Sequence, residues 1–224
     1  MSIALIIPAR NEALALPLLI PRIPTWVDEV IVVDNASTDG TGQIAADLGC
    51  HVVRENRIGY GAAVWAGIQA SRAHILVFAS ADGSDPVERL GDLIRPLQEN
   101  QAAFVFAQRV AAAGAMSPLQ QRGNALASRL IQWRWGSNFG DLGPFRALTR
   151  DTLLSLNMQD RGFGWTMEMQ AKIAARQIKW QAIPLPYALR AAGTSKISGT
   201  FTGTLQASGA IIWTFLILAL KRQM

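Results

Sequence analysis

The chain has 224 residues, of which 50% are hydrophobic and 17% charged; this suits one α/β domain with a full core and excludes a disordered chain. A single cysteine, Cys50, excludes an intrachain disulfide and a cysteine metal site, and two histidines, His51 and His74, cannot alone make a zinc site. The formal charge of +5 and a pI of about 10.0 point to polyanionic partners: nucleic acid, anionic lipid headgroups or phosphorylated small molecules.

The chain opens on MSIALIIPARNEA, which lacks a basic leader and meets an acid at Glu12, so a cytoplasmic location is expected. Ile3 to Ile7 is a β-branched apolar run ended by Pro8 and reads as a buried strand. Similar runs follow at 30–33, 51–53, 75–78 and 103–106, with helical stretches at about 12–21, 41–48, 60–71 and 86–99 between them. Strands that are apolar throughout and separated by helices imply a mostly parallel central sheet flanked by helices. Ligands of such sheets bind beyond the carboxyl ends of the strands, which singles out the loops at 8–12, 34–41 and 79–86. The second half is less regular, with Trp133, Trp135, Phe139 and a glycine-rich stretch from Gly136 to Gly143, before a clear helix from Thr166 to Gln177. No repeat or low-complexity linker divides the chain, so 1–206 reads as one domain and 207–224 as a C-terminal apolar helix. Two readings of that helix stand open: packing on the domain or a partner chain, or lying in the membrane interface with Trp213 and the Lys221–Arg222 pair as anchors.

The strand ends deliver acids: Glu12, then Asp34 and Asp39, then Asp82 and Asp85. Converging carboxylates repel one another unless a cation or hydrogen-bond donors sit between them. A base, a ribose and a divalent metal meet that need, so this edge suits the nucleoside end and metal of a nucleotide. Asp34 and Asp39 also fit a turn with side-chain hydrogen bonds, and Asp85 fits a helix cap ahead of Pro86.

The segments IPARNEA, VVDNASTDGT, NRIGYGAAVWAGI, ADGSDP, DLGPFRAL and RAAGTSK stand in the order found in glycosyltransferase family 2. The chain resembles that family's polyprenyl-phosphate sugar transferase branch, the dolichyl-phosphate mannose synthase type. The resemblance implies a GT-A (nucleotide-diphospho-sugar transferase) fold and an inverting transfer of one sugar from a nucleoside-diphosphate sugar, UDP or GDP, to a polyprenyl phosphate. It implies donor contacts at Pro8, Arg10, Asn11, Glu12, Asp34, Ala81 and Asp82, with Asp82 as the ligand of a Mg or Mn ion. Ser80 stands where the first acid of the metal motif belongs, which weakens the expected metal site. Arg109, Arg146, Arg190, Ser195 and Lys196 match phosphate-handling positions, and Arg and Lys groups there suit a leaving diphosphate. Asp82, Arg190, Lys196 and Asp141 are the expected catalytic groups, with Asp141 and Glu168 as rival bases for a hydroxyl acceptor. Glu168 also reads as the helix partner of Lys172. A phosphate acceptor needs no base, and a peripheral place on the inner membrane face follows from a lipid one.

Alternatives are a transferase acting on a soluble hydroxyl acceptor and a non-catalytic nucleotide-sugar-binding protein, the latter because of Ser80. A dinucleotide fingerprint is only partial, since Val64 replaces the third glycine after Gly59 and Gly61. Scattered basic residues without an aromatic partner motif argue against nucleic acid.

Overall fold

The computed structural model describes residues 1–193 and 201–220, with side chains described for 1–193 and 209–220. Seven strands form one sheet: β1 (Ile3–Ala9), β2 (Glu29–Asp34), β3 (His51–Arg54), β4 (Ile75–Phe78), β5 (Phe104–Ala111), β6 (Arg146–Thr149) and β7 (Trp180–Tyr187). Their order is β3-β2-β1-β4-β6-β5-β7, and only β6 runs antiparallel to its neighbours. Among the described residues eight α-helices accompany it: α1 (Leu16–Leu19), α2 (Thr41–Asp47), α3 (Tyr60–Ala70), α4 (Leu90–Gln98), α5 (Pro118–Trp135), α6 (Arg150–Ser155), α7 (Trp165–Ala175) and α8 (Phe201–Leu220).

Side chains on a strand alternate between faces, so an all-apolar strand must be covered on both. Along β1, Ala4 and Ile6 join Val33, Phe78, Phe104 and Trp165 on one face. Ile3, Leu5 and Ile7 join Leu16, Leu19, Val77 and Leu93 on the other. The parallel register aligns the strand tips: Ala9 lies opposite Asp34, and Asp34 opposite Arg54. Six strands therefore end on one edge, and their loops meet there.

The expected strands all form, and the fifth extends to Ala111. The expected helix over 12–21 does not. Pro17 and Pro21 each lack an amide donor, and the segment breaks into one four-residue helix and a 3-10 turn over Ile20–Arg22. The apolar C-terminal helix starts at Phe201, ahead of the expected 207. It packs on α5 and α7 through buried Phe215 and Leu218.

The amino end of α3 is closed by main chain: Gly61 and Ala62 donate to the carbonyls of Gly162 and Arg161, at 3.0 and 2.8 Å. A Cβ on Gly61 would lie 2.7 Å from the Asp160 carbonyl oxygen and 2.8 Å from Arg161 Cα. Both are backbone atoms that cannot swing aside, so Gly61→Ala should destabilise the chain by about 1–3 kcal/mol. A melting curve lowered by several degrees checks this; an unchanged curve would show that the 160–162 loop yields freely.

Candidate active site

The loops at the carboxyl edge are fastened to one another by short polar side chains. Asn11 takes a left-handed backbone (φ 53°), and its side-chain oxygen accepts the Thr38 amide at 2.8 Å. In return Ser37, Thr41 and Asp39 accept the amides of Asn11, Glu12 and Ala13. Asp39 also accepts the Thr41 amide at 3.0 Å. Burial pushes the Asp39 carboxyl up, but the Thr41 hydroxyl and these amides outweigh it and hold the group below its usual range. Asp39 is thus a staple between two loops, in keeping with its turn reading. Asp34 accepts the Ser37 amide at 3.0 Å, and its other oxygen lies where a Cβ on Gly42 would stand. Glycine on the first turn of α2 makes room for that carboxylate.

Arg190, far along the chain, reaches back into this edge. Its guanidinium lies 2.8 Å from Glu12 Oε1 and 3.8 Å from Asp82 Oδ2. The Asp82 carbonyl accepts the Ala191 amide at 2.8 Å, so the last loop is tied to the 80–85 loop by backbone as well. Gly83 has φ +77°, and a Cβ there would meet that of Ala191 at 2.8 Å. Arg190 Nε–H is buried without a hydrogen-bond partner among the described residues. The structure therefore brings Glu12, Asp82 and Arg190 together, with Asp34 on the neighbouring tip. Arg10 is exposed at the end of β1, Pro8 is half-buried within it, and Ala81 is buried. Ser195 and Lys196 lie outside the described residues.

The 80–85 loop rests on a buried base. Asp85 is 1% exposed. Instead of capping a helix, it turns back under the loop and accepts the Ser80 amide at 2.8 Å. The turn that follows has Pro86 as its N-cap and no side-chain cap, which corrects the expected role. The other Asp85 oxygen has no partner among the described residues. Burial, with the Asp82 charge adding to it, raises the carboxyl to about 6. Ser84 donates to Asp82 through its amide (3.1 Å) and hydroxyl (2.5 Å). Arg22 donates to the carbonyls of Gly83 and Asp85. Arg22, Ser84 and Tyr187, the last residue of β7, were not legible as site residues, because no local pattern marked β7 or the loop contacts of Arg22 and Ser84.

Two expected phosphate ligands and both expected bases are already engaged. Arg109 forms a forked pair with Asp141, Nε to Oδ2 at 2.8 Å and Nη2 to Oδ1 at 2.6 Å. Asp141 also accepts the amides of Arg109 and Leu142. Burial alone would lower the Arg109 guanidinium, but Asp141 more than offsets it and raises it. Both Asp141 oxygens are thus engaged by the fold, so Asp141 is corrected from base to structural partner. Arg146 is fully buried; its guanidinium donates to the carbonyls of Leu142 and Gly143, and burial pushes it down to about 10. It braces the 142–146 turn and is not placed to meet a phosphate in solvent. Glu168 accepts the amides of Gln159 and Asp160 and pairs with Lys172 at 2.7 Å, which leaves its helix-partner reading.

Among the described residues no three His, Cys, Asp or Glu side chains group as a metal site. Asp82 Oδ2 nonetheless lies partly exposed, 3.8 Å from Arg190, and magnesium commonly binds one or two carboxylates together with substrate phosphates. The donor set therefore fits a divalent ion arriving with a diphosphate, and does not fit a resident ion.

An open α/β sheet that gathers Glu12, Asp34, Asp82 and Arg190 at its carboxyl edge has the architecture of a ligand-binding α/β enzyme. Residues 4–155 match Glycosyl transferase family 2, and the chain belongs to that family. It is 34% identical over 207 residues to an uncharacterized glycosyltransferase of Mycobacterium tuberculosis, covering 92% of this chain and 94% of that one. It is 32% identical over 221 residues to the undecaprenyl-phosphate mannosyltransferase of Micrococcus luteus, covering 91% and 90%. Among solved structures, the fold is similar to glucosyl-3-phosphoglycerate synthase of Mycobacterium tuberculosis bound to Mn2+, UDP and phosphoglyceric acid. That likeness has a TM-score of 0.77 at 23% identity, covering 98% of this chain and 78% of that one. The chain is a glycosyltransferase of GT-A fold.

Two substitutions probe this site. Asp141→Ala strands a largely buried Arg109 and should cost about 3–5 kcal/mol of stability, read as a lower urea midpoint; a base would lose turnover with the fold intact. Between about pH 4 and 6, ionisation favours the unfolded chain, because the folded Asp85 carboxyl keeps its proton to about 6. Native stability contributed by that proton is thus present at low pH and lost as pH rises through this window. Relative to Asp85→Asn, the wild type should lose on the order of 2 kcal/mol from pH 4 to 6 and only a few tenths more, on the order of 0.4 kcal/mol, above it. Parallel urea melts across pH would reveal the slope or its absence.

Proposed function

We propose that the chain transfers one sugar from a nucleoside-diphosphate sugar, UDP or GDP, to a polyprenyl phosphate, with inversion at the sugar C1. One observation carries the reading: Arg190 sits between Glu12 and Asp82 at the strand tips with a buried Nε–H donor that has no partner among the described residues. A diphosphate supplies what that donor lacks, and a carboxylate pair beside it suits ribose hydroxyls or a metal-bridged phosphate. Support for the acceptor comes from relatives: one is named for undecaprenyl phosphate, and another is the polyprenol monophosphomannose synthase of Mycolicibacterium smegmatis, at 28% identity over 214 residues. Solved neighbours carry UDP with Mn2+ or Mg2+.

In this reading the nucleoside lies along Pro8, Arg10, Asn11, Glu12 and Asp34, on loops that the Asn11–Thr38 and Asp39–Ala13 hydrogen bonds keep in register. Ala81 and Asp82 meet the diphosphate. A Mg or Mn ion, when bound, neutralises diphosphate charge, and Asp82 would hold it. A phosphate oxygen of the acceptor attacks C1 from the face opposite the diphosphate. The new O–C1 bond forms as the C1–O bond to the diphosphate breaks, and the electron pair leaves on the nucleotide. Arg190, already fixed by Glu12, meets that growing charge without reorganising. The acceptor oxygen is ionised at neutral pH, so no side chain need take a proton, and the engagement of Asp141 and Glu168 in the fold costs this reaction nothing.

Radiolabelled sugar transfer from UDP- or GDP-sugars to a short polyprenyl phosphate tests the proposal. Asp82→Ala should cut transfer by roughly 10²–10³-fold while the thermal melt stays near that of the wild type. Unchanged transfer would sink the role of Asp82. Donor binding without turnover on any polyprenyl phosphate would favour a binding protein, and transfer only to soluble hydroxyls would favour a different acceptor class.

A further inference from the structure

Helix α5 starts with a capping box between Ser117 and Gln120, just past the end of β5 at the site edge, and ends at Gly136 in a left-handed cap. It carries a pattern that the fold does not use. Leu119, Arg122, Leu126, Arg129 and Trp133 are all exposed, and their spacing sets them within an arc of about 80° on the helix. The buried Ala127, Ser128 and Ile131 lie on the opposite side, against the core. Trp133 is 77% exposed. Water is a poor environment for this stripe, and solvation does not explain its alternation of apolar and basic groups.

A second such face lies alongside. α8 buries Thr214, Phe215 and Leu218 and exposes Ile212, Trp213, Leu216, Ile217 and Leu220. Trp135 of α5 meets Phe215 edge-on at 5.7 Å, and Arg134 donates to the Ala219 carbonyl at 3.4 Å, so the two helices pack together. α5 contains three arginines and no acid, and α8 contains no charged residue.

We propose that α5 and α8 form one docking face for an anionic bilayer surface, with the Trp and Leu side chains entering the interface and Arg122 and Arg129 meeting lipid phosphates. Aromatic and aliphatic groups interleaved with arginine, with no acid present, are what a helix lying in a membrane interface requires. A second copy of this chain fits the surface poorly. A two-fold contact through the same stripe would bring Arg122 and Arg129 against their own counterparts with no carboxylate between. No helix among the described residues is long and apolar enough to cross a membrane. The purpose of the face rests on the polyprenyl-phosphate reading above: docking beside the β5 edge brings the cleft to where a prenyl chain is held.

The test is co-sedimentation of the full chain with vesicles of mixed phosphatidylglycerol and phosphatidylcholine, against vesicles of phosphatidylcholine alone. The chain should partition to the anionic vesicles and be released by high salt. Arg122→Glu with Arg129→Glu should weaken partition by about tenfold or more, and Trp133→Ser with Trp213→Ser should do the same. Transfer to a short, water-soluble prenyl phosphate should stay at the wild-type rate in all of these, which keeps the two readings apart. Partition that ignores these substitutions overturns the docking face even if transfer occurs, as does a dimer that the same substitutions disperse. Absence of prenyl-phosphate transfer in the wild type overturns the acceptor reading alone.

Discussion

The structure turns on a repulsion that has to be answered. A parallel sheet sends its strand tips to one edge, and in this chain Glu12, Asp34 and Asp82 ride on three of those tips. Left alone, such carboxylates raise one another's pKa and loosen their loops. Arg190 provides the answer from the far end of the domain, 2.8 Å from Glu12 and 3.8 Å from Asp82. The backbone bond from Ala191 to the Asp82 carbonyl makes that closure geometric as well as electrostatic. A guanidinium bound on one side by a carboxylate, with a buried Nε–H that lacks a partner among the described residues, suits the second anion that the proposed reaction brings.

Around this centre the cations divide into two sets. Arg109, Arg146 and Arg22 are committed to the fold: a forked ion pair, a carbonyl-bracing turn and a strut under the 83–85 backbone. Arg190 bridges Glu12 and Asp82 at the strand tips. The distinction matters because removing a committed arginine lowers stability and so lowers activity indirectly, whereas in the proposed reaction Arg190 would act on the ligand. Asp85, an acid, is likewise committed to the fold. Its burial beneath Ser80 fixes the loop that presents Asp82, and it pays for that position with a raised carboxyl pKa.

Much of this was legible in the sequence because the parallel strands are covered on both faces and so appear as unbroken apolar runs. The runs at 3–7, 30–33 and 75–78 fix β1, β2 and β4, and with them the acid-bearing edge. β6 and β7 were missed. Arg146 begins β6 as a fully buried charge, and Pro184 and Pro186 interrupt the apolar pattern of β7. α5 was missed because its glutamines, arginines and Gly123 blur the apolar period; the Ser117–Gln120 capping box and the terminal Gly136 were the readable signals. Which arginine meets a ligand and which meets Asp141 was beyond any local pattern, since that pair joins positions on β5 and on the loop after α5. The near-complete dinucleotide motif at Gly59 and Gly61 has a different use: its glycines admit the 160–162 backbone, whose carbonyls fill the end of α3.

If the acid edge and Arg190 together receive a diphosphate, a crystal structure with a nucleoside diphosphate and Mn2+ will show it directly. Diphosphate oxygens should lie within hydrogen-bonding reach of the Arg190 guanidinium, with Asp82 facing them through the ion and the nucleoside along Asn11, Glu12 and Asp34. A nucleotide seated elsewhere, with the Arg190–Glu12 pair untouched and Asp82 turned away, would contradict it.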